Sequence, residues 1–254
     1  MKQIAIITGA SGGIGREFVK QMYNYELDEI WVVARNQEKL GQLQKEFGKK
    51  IVPISADLSQ RQGIDCLLEK LQKETVMVKY LVNNAGIARM GASTEFSLDE
   101  MDATIDLNCK AAIMLCNICI SYMQKGSKII NVSSASSFQP VPYINLYAST
   151  KVFLRSYSRA LNVELKGTGI AVTAVCPGWV DTELLPEEMN GEKVRYPGIV
   201  TAERVVKKAL RDVARGRDMS VCSLGIKLQH MAAKYWPQRL VMKLWMLGIR
   251  KFVK

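Results

Sequence analysis

The sequence predicts an α/β fold: a doubly wound parallel sheet of about seven strands, with helices on both faces and a C-terminal helical tail. Three observations predict it. Short β-branched runs alternate with longer stretches of helical period, as right-handed crossovers between parallel strands require. A glycine-rich turn follows the first run directly and opens the first helical stretch. No internal repeat and no Gly/Ser-rich linker interrupts the pattern, so residues 1–222 read as one domain and residues 223–254 as an extension.

In chain order, strands are predicted over residues 3–7, 30–34, 51–55, 80–82, 128–132 and 170–175, each a short run rich in Ile, Val and Tyr. Between them, apolar residues at helical spacing predict helices over 13–25, 37–47, 60–74, 98–125 and 147–166. After Val175 the pattern gives way to a loop containing Pro177, Pro186 and Pro197. A helix, a short strand near residues 219–222 and the tail follow, with Pro237 expected to divide the tail into two helices.

Composition narrows the class. The 254 residues are 48% hydrophobic and 23% charged, with 18 Gly and 7 Pro, which excludes a disordered or collagen-like chain. The most apolar uncharged stretch, residues 111–124, falls short of the ~20 residues that span a bilayer. Ile4 to Ile7 is too short for a signal-peptide core, so a cytoplasmic location with six reduced cysteines is expected. Cys116 and Cys119 form a CxxC pair without further ligands nearby; they are expected to pack in the core, and no metal site is expected. The charge is uneven: residues 203–254 hold 13 basic and 3 acidic residues of a chain whose net charge is +11.

The segment Thr8-Gly-Ala-Ser-Gly-Gly-Ile-Gly15 is a dinucleotide cradle by its context of strand, turn and helix. Gly9, Gly13 and Gly15 permit a tight turn, close backbone approach and helix–sheet contact, in the manner of a Rossmann-type fold. The helix N-terminus offers free N–H groups to a pyrophosphate. The second strand ends Val33-Ala-Arg-Asn36, without the acid that an NAD-selective site places against the ribose. Arg35 matches a 2′-phosphate, so NADP(H) is expected over NAD(H); the alternative is a guanidinium turned to solvent. Asp57 ends the third strand, where its carboxylate could accept from an adenine amino group. Asn83-Asn-Ala-Gly86 ends the fourth; its small residues suit an adenosine ribose, and one Asn can fasten neighbouring strands.

Tyr147 and Lys151 lie four apart at the start of a helix and share a face. An ammonium near a phenol favours the phenolate, so Lys151 is expected to lower the pKa of Tyr147 toward the working range. Ser134 follows the fifth strand at the carboxyl edge of the sheet, where its hydroxyl could hold a carbonyl oxygen.

Together TGASGGIG, NNAG, Asn108, Ser134, Tyr147/Lys151 and Pro177-Gly-Trp-Val-Asp-Thr182 closely resemble the short-chain dehydrogenase/reductase family, in order from about residue 3 to 182. The resemblance implies Tyr147 as general acid/base, Lys151 on the nicotinamide ribose, and Ser134 on the substrate carbonyl. It implies that Asn108 bends its helix and holds a water linking Lys151 to solvent. The cofactor would further meet Ser11, Ile14, Asn36, Leu58, Asn84, Ala85 and Gly86, and its nicotinamide Pro177, Gly178, Val180 and Thr182. Ala135, Phe138, Gln139, Tyr143 and Trp179 would line a mainly apolar substrate pocket. Residues 182–200, with Glu187, Glu188, Met189, Gly191 and Pro197, would form a capping loop.

Other features carry less. The lone histidine, His230, sits in the tail and is expected to pack, and no Gly-x-Ser-x-Gly elbow supports a hydrolase. Ser133, Ser136 and Ser137 are expected as loop hydrogen-bonders. The tail joins Lys227, Lys234, Arg239, Lys243, Arg250, Lys251 and Lys254 to Tyr235, Trp236 and Trp245. It would cover the pocket or a neighbouring subunit, lie in a membrane interface, or meet an acidic protein such as an acyl carrier. Nucleic acid is not expected.

The expected activity is NADP(H)-dependent interconversion of a ketone and a secondary alcohol, on a hydrophobic or hydroxysteroid-like substrate. A 3-oxoacyl thioester is the alternative substrate, and a silent dinucleotide-binding sensor or assembly protein the alternative of another class. A homodimer or homotetramer through helices 98–125 and 147–166 is expected by the same resemblance.

Overall fold

The β-branched runs form strands β1 (Lys2–Thr8), β2 (Glu29–Ala34), β3 (Ile51–Ser55), β4 (Val76–Asn83), β5 (Lys128–Val132) and β6 (Ala171–Val175). Short strands follow: β7 (Val180–Asp181), β8 (Glu188–Met189), β9 (Glu192–Lys193), β10 (Val200–Thr201) and β11 (Met219–Ser220). Seven of these make one parallel sheet in the order β11-β6-β5-β4-β1-β2-β3, while β7 pairs with β10 and β8 with β9. The structure is a computed structural model that describes residues 1–183, 185, 188–189 and 192–249.

Both faces of the sheet are covered, so the central strands are continuous apolar runs and not alternating ones. Ile4, Ile6, Ile7, Trp31, Val32 and Val33 are fully buried. Helices α1 (Gly13–Met22), α2 (Gln37–Phe47) and α7 (Ala202–Ala214) cover one face through Phe18, Met22, Leu40, Val206 and Val213. Helices α3 (Arg61–Lys73), α5 (Ala112–Ile120) and α6 (Asn145–Glu164) cover the other through Ile64, Leu67, Leu115 and Leu161. Strand order reverses between β1 and β4, which opens a crevice at their carboxyl ends.

Helix α1 ends at Met22 and not at residue 25, the loop after Val175 holds the short strands β7 to β10, and two further elements differ for a local reason. Strand β4 begins at Val76 and not at residue 80, because Lys79 is a bulge: Ile4 pairs with Val78 and Ala5 with Tyr80. The predicted helix 98–125 is instead α4 (Leu98–Ile105), a π-helical turn (Asp106–Ala111) and α5, which ends at Ile120. By length and composition the run Leu98–Ile120 could cross a membrane. Here its inner face, Ala111, Leu115, Cys116 and Cys119, packs in the core. Both thiols of the CxxC pair are buried there, and burial raises their pKa values.

The C-terminal region folds as α8 (Leu224–Tyr235) and α9 (Gln238–Ile249), with the break at Trp236 and Pro237. Helix α8 rests on the chain at Gly178, where a Cβ would come within 2.7 Å of Ile226 Cδ1. Pro186, Glu187, Gly191, Arg250, Lys251 and Lys254 lie outside the described residues.

Candidate active site

The glycine turn is built as an anion cradle. Gly9 and Gly13 adopt left-handed φ values of +63° and +49°, which disfavour a side chain. A Cβ on Gly15 would lie 2.1 Å from the Gly9 carbonyl oxygen, so helix α1 touches the turn backbone to backbone. Gly12 caps α1 without a side-chain hydrogen bond, and the first turn carries no acidic residue. The first N–H groups and the positive end of the helix dipole are therefore free for a phosphate. These residues fit a bound dinucleotide.

The Asn-Asn-Ala-Gly segment is tied to this turn. Thr8 Oγ1 accepts from the N–H groups of Asn84 and Ala85, each at 3.0 Å. Asn84 Nδ2 donates to the carbonyls of Thr8 (3.2 Å) and Gly9 (3.1 Å). Asn83 fastens β4 to β5 by donating to Asn131 Oδ1 at 2.9 Å. Thr182 approaches from the far side, its Cγ2 3.1 Å from where a Gly13 Cβ would stand.

The residues expected at the adenosine end lie outside the cavity wall. Arg35 is exposed just past β2. Asn36 caps α2, its Oδ1 accepting from Lys39 N at 2.8 Å. Asp57 Oδ1 accepts from the N–H and hydroxyl of Ser59 at 3.0 and 2.7 Å, a turn of its own. The Leu58 side chain is buried in the core, which leaves its main chain to meet a ligand. Ser11 faces a separate cleft with Arg16 and Lys39, whose charges pair with Glu46 at 2.5 Å and Glu183 at 3.2 Å.

Helix α6 brings Tyr147 and Lys151 to one wall, beside Ser134 at the end of β5. Ser133 Oγ donates to the Lys151 carbonyl at 2.7 Å and locks α6 to that strand end. Ser134 Oγ accepts from Ser136 N at 3.1 Å and hydrogen-bonds the Tyr147 phenol. Lys151 is buried, with Nζ 5.5 Å from the centre of the Tyr147 ring and donating to the Val132 carbonyl at 2.9 Å. Burial lowers its pKa to about 8, although the Cys109 and Cys176 thiols pull the other way.

The electrostatics correct one expectation. Burial raises the pKa of Tyr147 above its ordinary value, and the Ser134 hydrogen bond offsets this only in part. The pairing geometry is as expected; the lowered phenol pKa is not found. Lys151 is turned to the Val132 carbonyl, and burial makes it hold its proton less tightly than an ordinary lysine.

Asn108 stands in the π-helical turn, where an extra residue per turn swings it toward Lys151. Its Nδ2 donates to the Ile87 carbonyl (2.9 Å) and Thr150 Oγ1 (3.0 Å), and its Oδ1 accepts from Ile87 N (2.8 Å). Gly86 lies against both: a Cβ there would be 3.1 Å from Asn108 Oδ1 and 3.3 Å from Lys151 Nζ.

Gly12 and Gly13 line the separate cleft with Ser11, and a cavity of about 620 Å³ takes in the catalytic parts. It runs from Ile14, Asn84 and Gly86, past Ser134, Tyr147 and Lys151, to Pro177, Gly178, Trp179, Val180 and Thr182. Ala135 and Gln139 line it as expected; Phe138 and Tyr143 do not. The Phe138 ring is buried against His230, with centroids 4.2 Å apart, and beneath the Arg155 guanidinium. His230 thus packs. Tyr143 takes a left-handed φ of +62°, and its carbonyl accepts from Gly91 N.

The tail covers the pocket, one of the placements its sequence left open, through residues that the sequence did not single out for it. Trp245 and Leu244 of α9 and Ile226 of α8 close the far end; Trp245 stacks 6.3 Å from Trp179 and donates to the Pro142 carbonyl at 3.0 Å. Thr150 links Asn108 to the Tyr147 carbonyl (2.7 Å); its position three residues after Tyr147 was the available signal. Among the described residues, no group of three or more His, Cys, Asp or Glu side chains could hold a metal.

The profile of the short chain dehydrogenases matches residues 3–193. The chain belongs to the short-chain dehydrogenase/reductase family. An uncharacterized oxidoreductase of Staphylococcus epidermidis is 29% identical over 207 residues, covering 81% of this chain and 90% of that one. Among solved structures, a short-chain dehydrogenase from Sphingobium yanoikuyae in complex with NADPH superposes with a TM-score of 0.79 at 26% identity. That match covers 94% of this chain and 95% of the other. A bulky-bulky ketone specific alcohol dehydrogenase from Comamonas testosteroni gives 0.75 at 26% identity, covering 95% and 94%. This short-chain dehydrogenase is therefore an oxidoreductase with the nucleotide-binding sheet of its relatives.

Proposed function

We propose that this short-chain dehydrogenase interconverts a bulky ketone and its secondary alcohol with NADP(H). The observation that carries the reading is the cavity in which Ser134, Tyr147 and Lys151 line one wall with Ile14, Asn84 and Gly86, at the edge of the glycine turn, and with the apolar residues of the far end. When bound, the nicotinamide supplies or removes the hydride. Tyr147, kept protonated at neutral pH by burial, donates its proton to the carbonyl oxygen and recovers it in reverse. Ser134, whose hydroxyl meets the Tyr147 phenol, orients that oxygen beside the donor. Lys151 spends one donor on Val132 and keeps two for ribose hydroxyls. Asn108 holds the Ile87 loop and Thr150 in place beside it.

The chamber fits a bulky apolar substrate. Trp179, Leu185, Val194, Tyr196, Leu244 and Trp245 form its far wall. Gln139 Oε1 is buried without a hydrogen-bond partner in that wall, and an orphaned acceptor there suits a hydroxyl on the substrate. Among the described residues the charged lining is Arg89, Lys151 and Arg195, which disfavours a cationic substrate. Preference for NADP(H) rests on Arg35, and the NADPH held by the Sphingobium relative supports it. Assembly into a homo-oligomer through α4 and α6 is supported by exposed Leu98, Ile105, Phe153 and Val163.

The test is consumption of NADPH, read by its absorbance, against bulky cyclic ketones, hydroxylated steroid ketones and 3-oxoacyl thioesters. Turnover of the ketones is expected. Tight cofactor binding with no turnover of any class would overturn the reading in favour of a silent binding protein.

A further inference from the structure

Helices α8 and α9 carry their apolar residues on the wrong side for a helix that only covers a core. On α8, Leu224, Leu228, Met231 and Tyr235 recur at helical spacing and are 73%, 62%, 49% and 67% exposed. On α9, Leu240, Leu244 and Leu247 do the same at 44%, 50% and 70%, and Trp236 between the helices is 51% exposed. The opposite faces, with Ala233, Val241 and Ile249, are buried against the body. Two apolar stripes this exposed are uncommon on a soluble chain that has no partner for them.

Its charge says what the partner is. Lys227, Lys234, Arg239 and Lys243 are exposed beside the apolar stripes, and no Asp or Glu occurs from Ser223 to the end of the sequence. A second copy of the same face would bring like charges together. Anionic headgroups complement them, while the leucines and tryptophan sit among the acyl chains just below. We propose that α8 and α9 dock the enzyme, without spanning, on an anionic lipid bilayer. Leu244 is at once part of this exposed face and part of the cavity wall, with Gly248 beside it. The cavity would then open toward the lipid, and on the activity proposed above its ketone would be one that partitions into membranes.

The binding test does not depend on that activity. Full-length protein is floated with vesicles of phosphatidylcholine alone and of phosphatidylcholine with phosphatidylserine at about 7:3. Flotation is expected with the anionic vesicles only, weakening about fivefold for each of Lys227, Lys234, Arg239 and Lys243 changed to Gln. The variant Leu228→Glu/Leu240→Glu/Leu247→Glu, which touches no cavity-lining residue, is expected to stay unbound. Its turnover of a water-soluble ketone and its oligomeric state should be unchanged. Wild-type protein left at the bottom of the gradient, or a triple variant that floats as well as wild type, would overturn the proposal. So would a triple variant that changes from a larger assembly to a monomer, because the face would then be a self-interface.

Discussion

Lys151 lies one helical turn beyond Tyr147 and holds its ammonium nitrogen 5.5 Å from the centre of the phenol ring, yet its short hydrogen bond runs to the Val132 carbonyl. The two groups therefore titrate in an inverted order. Burial brings the lysine down to about 8 and pushes the tyrosine up, so the pair is ammonium and phenol near neutrality. As pH rises, the lysine loses its proton first.

This order has a stability consequence with a definite sign. A lysine whose pKa is depressed on folding destabilises the native state wherever it is charged, and the cost is relieved as pH climbs from the folded toward the unfolded value. Urea unfolding of wild type and Lys151→Met, without cofactor, should give a wild-type-minus-variant difference that is flat below about pH 7. It should rise between about pH 8 and the unfolded lysine's ~10.4. A difference that falls across that window would contradict the burial argument.

Arg35 is exposed, and its guanidinium is the cation closest in sequence to the end of β2. Arg35→Ala should weaken NADPH binding by about 10- to 100-fold, the worth of a charged hydrogen bond. NADH binding should change little. Fluorescence titration with both cofactors checks this, and equal weakening would remove the 2′-phosphate assignment.

Two glycines make a controlled pair. A Cβ on Gly15 would collide with the Gly9 carbonyl at 2.1 Å, whereas one on Gly41 meets nothing within 4 Å. Gly15→Ala should cost about 1–3 kcal/mol or more and abolish cofactor binding, because helix and turn must move apart. Gly41→Ala, inside α2, should stabilise by about 0.5–1 kcal/mol with binding intact. Denaturant titrations and cofactor binding on both variants read out the contrast.

Gln139 sets stability against recognition. Its buried, unpartnered Oε1 carries a desolvation cost, so Gln139→Leu should stabilise the free protein by about 1 kcal/mol. The same change should raise KM for a hydroxylated ketone about tenfold and leave an unhydroxylated analogue unaffected. Equal effects on both substrates would show that Gln139 meets no substrate hydroxyl.

Much of this was legible in the sequence because it is local. The glycines of residues 9–15 need a turn that few other residues permit, and Tyr147 and Lys151 share a helix face by spacing alone. The alternation of strands and helices carries the sheet, because buried parallel strands are apolar throughout. What failed was set by distant neighbours or by single residues that break a period. Lys79 hides half of β4 by bulging, and Asn108 sits in a π-turn inside what reads as one helix. Phe138 looked like pocket lining, but His230, some ninety residues on, draws its ring away. Trp245 reaches the chamber only because α9 folds back over it.

The central claim is that the Tyr147 phenol is the proton donor in a site whose binding parts stand without it. The most direct measurement is the turnover number of Tyr147→Phe beside its NADPH dissociation constant. Turnover should fall by at least about 10²- to 10⁴-fold while NADPH binding stays within about threefold of wild type. A variant that turns over ketone at the wild-type rate would contradict the account.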